Sequence, residues 1–163
     1  MNKKALQKFI VQCTEYIDKH GDFNYRAIAP AARISSDPLS EAVEYIEEKR
    51  GLLFVQQLFL LIDKTGKKDS EIYKKAGIDR RLFSKIRSDK TYIPSKKTVI
   101  SLCLALELER EEADSLLSVA GYSLSQSSVF DLVIAFCIER KIFDILAVDE
   151  ILNHFEQEGF NSS

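Results

Sequence analysis

KDSEIYKKAGIDRRLFSKIRSDK, residues 68–90, is the stretch whose reading decides the fold. Ile72 and Ala76 lie four residues apart and form the inner face of one helix. Gly77 supplies the left-handed residue of a turn, Ile78 plugs the corner, and Leu82, Phe83 and Ile86 hold a second helix on the first. Asp79 is placed to cap that second helix by accepting from its free amides. Arg80, Arg81, Ser84, Lys85 and Ser88 avoid the apolar stripe and therefore fall on the outer face. The pattern predicts a helix, a tight turn and a second helix with a basic exterior.

The surrounding charge is concentrated in the same place. Residues 64–97 carry twelve Lys or Arg against four acids, a surplus of eight in a chain whose formal net charge is −2. Basic charge gathered on a helix-turn-helix pattern points to nucleic acid. The part of the chain after residue 97 is acidic, with Arg110, Arg140 and Lys141 against twelve acids, and is expected to face away from a polyanion.

Working outward, helical periods continue in both directions, and an all-α protein is expected. Helices are predicted over residues 3–20, from Asp37 or Ser40 to about 51, and over 52–62, 69–76, 79–88, 95–108 and 111–120, with a short one over 27–34. The 52–62 segment is apolar nearly all round and should be buried on both sides. A Ser-rich joint, 123–128, leads into an apolar run from Val129 through Ile142 and on to Leu146, with Ser128 and Asp131 in capping-box-like spacing. A last helix is expected from about Asp149, and residues 159–163 should fray. The chain thus divides into three: an N-terminal helical extension, 1–50, a helix-turn-helix domain, 51–122, and a C-terminal helical segment, 123–163.

Over residues 52–121 the chain resembles the lambda-repressor-like, or XRE-type, helix-turn-helix family, with five helices in order and YIPSKKTVISLCLALEL, residues 92–108, standing as the family's fourth helix. The resemblance implies a sequence-specific regulator that binds double-stranded DNA, with residues 79–88 as recognition helix in the major groove. It places Arg80, Arg81, Ser84 and Lys85 at base edges, and Lys68, Lys90, Lys96 and Lys97 at phosphates. Lys96 and Lys97 come just after the N-cap Ser95 in a first turn, where the helix dipole disfavours cations, and a phosphate would relieve that conflict. Two acids, Asp69 and Asp89, stand where the family often has Gln and Gly.

Other classes find little support. Cys13, Cys103 and Cys137 are odd in number and set among apolar residues, as buried thiols in a reducing compartment would be, and His20 and His154 have no ligand-spaced partner, so neither a metal nor a cofactor is expected. No nucleophile–base arrangement or phosphate-cradling Gly loop suggests an enzyme, and no leader or membrane-length apolar run is visible, which favours a cytoplasmic protein. The apolar residues of 129–142 either cap the central domain or pair two copies as a homodimer, and residues 1–50 are a place for a protein partner. The competing functional reading is a helical adaptor that uses the helix-turn-helix domain to bind protein.

Overall fold

Short helices joined by tight turns succeed one another from Pro38 to His154, as apolar spacings of three and four residues require. The computed structural model describes residues 37–161 together with Lys4, Lys8 and residues 10–12, these last five being helical and exposed. The expected helices at 3–20 and 27–34 otherwise lie outside the described residues. Among the described residues there is no strand, and no helix is long and apolar enough to cross a membrane.

The chain divides into two compact units, Met1–Arg50 and Gly51–Ser163. The first contains α1 (Pro38–Lys49). Proline at its first position presets the backbone angle and surrenders no needed hydrogen bond.

The second unit holds α2 (Phe54–Thr65), α3 (Asp69–Lys75), α4 (Arg80–Ser88), α5 (Lys96–Ala105), α6 (Arg110–Val119), α7 (Val129–Glu139) and α8 (Ile145–His154). Helix α5 is its centre, with every residue from Val99 to Ala105 buried. Around it α3 and α6 pack directly, while α2 lies on α6, α4 on α3, α7 on α6 and α8 on α7. Helices α7 and α8, set apart by the sequence reading as a segment after residue 122, belong to this unit and put Val133, Ile134, Cys137, Ile138, Val148 and Leu152 into its core. Within this unit helix α2 buries Phe54, Val55, Leu58 and Ile62 and leaves Leu60 59% exposed.

Five of these helices stop in the same way. Gly77, Glu107, Gly121, Lys141 and Glu156 each adopt a left-handed conformation, with φ between 54 and 80°. The next amide in each case donates to a carbonyl five residues back: Ile78 to Tyr73, Leu108 to Cys103, Tyr122 to Leu117, Ile142 to Cys137 and Gln157 to Leu152. Side chains at the three non-glycine stops cost on the order of 1 kcal/mol each, a cost the surrounding packing must offset.

These stops revise the sequence reading. The helix expected through residue 108 ends at Ala105, and the run expected to pass Ile142 breaks at Lys141. The last helix begins at Ile145, where Asp144 accepts from Leu146 N at 3.3 Å, and not at Asp149. Asp149 is instead a buried anchor. Its carboxylate accepts from Phe160 N at 2.7 Å, Asn161 N at 3.2 Å and Asn161 Nδ2 at 2.8 Å, which holds residues expected to fray. Glycine is required beside it, because a Cβ at Gly159 would come within 2.6 Å of Asp149 Oδ1.

Candidate nucleic-acid interface

The junction between α3 and α4 matches the sequence reading residue for residue. Ile72 and Ala76 are buried on one helix, Phe83 and Ile86 on the other, and Gly77 turns the chain at φ 64°. Asp79 Oδ1 accepts from Arg81 N at 2.6 Å and so caps α4. Phe83 meets Phe59 edge-on at 5.9 Å between ring centres and Tyr73 at 5.6 Å, which fixes the roll of α4 against α2 and α3. With that roll set, Arg80, Arg81, Ser84, Lys85 and Ser88 are all exposed on one face.

The twelve cations of residues 64–97 are not equivalent. Half are engaged by carboxylates of the same chain. Lys64 pairs with Glu112 at 2.6 Å, Lys67 and Lys75 both with Glu107, Arg87 with Asp69 at 2.5 Å, Lys96 with Asp131 at 2.6 Å and Lys97 with Glu158 at 3.3 Å. Among the described residues Lys68, Lys74, Arg80, Arg81, Lys85 and Lys90 have no such partner. Lys85 lies over the Tyr92 ring, 4.3 Å from its centre, which steers the ammonium without neutralising it.

Lys96 and Lys97 therefore differ from the other members of the expected phosphate set. The conflict between their charge and the α5 dipole is relieved inside the chain. Asp131, only 3% exposed, receives Lys96 Nζ and Ser125 N on the same oxygen, the latter at 2.8 Å. Lys97 Nζ donates to Gly159 O at 3.2 Å and sits 5.8 Å from the Phe130 ring centre. Neither contact is announced by the sequence. Asp131 is legible there only as a helix-capping residue, though an acid within an apolar run is itself a signal that a cation lies opposite.

The two acids beside the face behave differently from each other. Asp69 is neutralised by Arg87, whose guanidinium also stacks 4.1 Å above Phe59. Asp89 holds the turn after α4, accepting from Thr91 Oγ1 at 2.8 Å and Thr91 N at 3.0 Å. The Thr91 hydroxyl, then its amide, hold the Asp89 carboxyl below the usual range, so it stays ionised beside the basic residues.

The face is an open surface. A cleft of about 500 Å³ bordered by Lys75, Glu107, Lys141 and Phe143 includes none of the exposed α4 residues. Among the described residues no group of His, Cys, Asp and Glu is arranged to hold a metal. Burial pushes the Cys103 thiol up to about 12, which keeps it protonated and unreactive. No family model, characterised protein or solved structure matches the chain.

Proposed function

We propose that the second unit is a sequence-specific DNA-binding transcriptional regulator of the lambda-repressor-like helix-turn-helix kind. Helix α4 enters the major groove, Arg80, Arg81, Ser84 and Lys85 read base edges, and Lys68 and Lys90 hold phosphates, with Lys74 joining them. One observation carries this reading: acids of the chain form ion pairs with Lys64, Lys67, Lys75, Arg87, Lys96 and Lys97, whereas among the described residues Arg80, Arg81 and Lys85 form none, Lys85 feeling only the nearby charge of Asp89. An exposed helix of this width fits a groove about 12 Å across, and arginine can hold guanine O6 and N7 in a bidentate pair. Lys96 and Lys97, which the resemblance puts at phosphates, are left out of this set because Asp131 and Glu158 pair with them.

Two copies acting on paired half-sites suit this reading. Val129, Leu132 and Phe136 form a stripe on α7 that is 47–48% exposed, a surface suited to homodimer formation. The adaptor reading is favoured by one feature, the persistent negative charge of Asp89 at the end of α4.

Fluorescence anisotropy at low salt against a pool of genomic fragments tests the proposal. Arg80→Ala or Arg81→Ala should relax preference at one base pair and cost about 1–3 kcal/mol, whereas Lys68→Ala should weaken all sequences alike and lower the salt slope by about one. Absence of binding to the whole pool overturns it. A protein complex that survives nuclease would favour the adaptor, and a monomeric mass by light scattering at high concentration would remove the dimer.

A further inference from the structure

Residues 158–161 fold back as a strap across the start of α5. Buried Asp149 of α8 holds the strap by accepting from Phe160 N, Asn161 N and Asn161 Nδ2. The Phe160 ring adds an aromatic contact, its centre 6.1 Å from that of Phe130 in the first turn of α7. Gly159 fits between them because it has no Cβ, which would lie 2.6 Å from Asp149 Oδ1 and 2.8 Å from Asp149 Cγ. The same strap is laid on Lys97, whose Nζ donates to Gly159 O at 3.2 Å and pairs with Glu158 Oε2 at 3.3 Å.

The two cations that open α5 are thus neutralised in different ways. Lys96 pairs with Asp131, a buried acid of α7, and belongs to the packed interior. Lys97 has a side chain 42% exposed, and that of Glu158 is 72% exposed. A pair so open to water is screened and readily exchanged. Glu158 is kept in place by the rest of the strap, anchored at Asp149 and Phe130, so its hold on Lys97 lasts only while the strap is down. The start of α5 also adjoins the outer face of α4, since Lys85 lies over the Tyr92 ring and Tyr92 is three residues from Ser95, the α5 cap.

We propose, resting on the DNA reading of α4, that residues 158–161 are an autoinhibitory strap that withholds Lys97 from the nucleic acid. A DNA phosphate competes with Glu158 and the Gly159 carbonyl for the Lys97 ammonium. With the strap down, α4 engages DNA without Lys97. With the strap lifted, Lys97 joins Lys68 and Lys90 as a phosphate contact, and both the affinity and its salt dependence rise. A phosphate contact carries no sequence information, so the gain is shared by every DNA sequence.

The test measures the anisotropy of the genomic fragment pool with the full chain between about 50 and 200 mM salt. Glu158→Gln removes the charge opposite Lys97 and leaves the strap in place, whereas Gly159→Val supplies the Cβ that collides with Asp149 and drives the strap off. Both are expected to tighten binding at the lower salt, Gly159→Val more than Glu158→Gln. Gly159→Val should steepen the slope of log affinity on log salt by about 0.9, the share of one phosphate, so that affinity falls about threefold further across that range. Lys97→Ala should change the affinity of the parent less than about twofold and remove the whole gain in either variant, which separates a released cation from a loosened fold. Glu158 is exposed, so Glu158→Gln carries the test even where Gly159→Val is unstable. A parent that binds with the same slope as both variants, or a gain that survives Lys97→Ala, overturns the strap and leaves the DNA reading standing. Binding by the variants alone supports both, and binding by neither parent nor variants overturns both.

Discussion

Two helices of this protein begin alike and end up in opposite electrostatic states. Helix α4 opens with a cap, Asp79, then Arg80 and Arg81, and helix α5 opens with a cap, Ser95, then Lys96 and Lys97. Each places two cations where the dipole is unfavourable. At α5 the molecule answers from far along the chain, with Asp131 for Lys96 and Glu158 and the Gly159 carbonyl for Lys97. At α4, among the described residues, Arg80 and Arg81 meet only the capping carboxylate of Asp79, which accepts from Arg81 N. The difference teaches that clustered charge describes a segment, whereas availability describes a surface.

The largest effect that would break this comparison is on folding. Lys96→Ala leaves the Asp131 carboxylate buried without its cation and should cost about 3 kcal/mol in urea unfolding, the penalty of an uncompensated buried charge. A loss below about 0.5 kcal/mol, the range of a surface change, would mean that Lys96 is as free as the α4 arginines. Asp79→Ala should cost about 1 kcal/mol by the same measurement, as removal of a helix cap does. Arg81→Ala should stay within about 0.5 kcal/mol of the parent, and it should err toward stabilisation by easing repulsion at the helix start.

The smallest effect concerns pH and sharpens the comparison at the other engaged cations. Lys75 beside Glu107, and Lys64 beside Glu112, hold those carboxyls below their ordinary value of 4.5. Both partners remain substantially exposed, so solvent screens the gain. A lowered folded-state value means that the stabilisation is fully present above the ordinary carboxylate value and disappears as pH falls through the folded one. Lys75→Ala should therefore flatten the fall of the thermal midpoint on the acid side of pH 4.5, and an unchanged slope would show that the pair contributes nothing.

The α3–α4 corner is legible in the sequence because every determinant there is local. Ile72, Ala76, Gly77, Ile78, Asp79, Phe83 and Ile86 sit within fifteen residues, and each does what its side chain allows. The outward direction of Arg80, Arg81, Ser84 and Lys85 comes from the same stripe. The partners of Lys96 and Lys97 lie 35 to 62 residues away, where no period or cap signal reaches. Helix ends fail for a different reason. Stops at Gly77 and Gly121 announce themselves, but Glu107, Lys141 and Glu156 are ordinary helix-compatible residues whose left-handed conformation is imposed by the packing of the next segment of chain. Asp149, from about which the last helix is expected, is tied instead to the segment at 159–161 folded back on it, and that contact too is beyond the reach of local signals.

The long reach of those ion pairs has a consequence for a chain made from one end. Residues 64–97 emerge from the ribosome with a surplus of eight positive charges, before Glu107, Glu112, Asp131 or Glu158 exists to meet them. Synthesis adds roughly 5–20 residues per second, so Lys97 waits seconds for residue 158. During that interval residues 64–97 carry more unopposed positive charge than they do once Glu107, Glu112, Asp131 and Glu158 have folded against them.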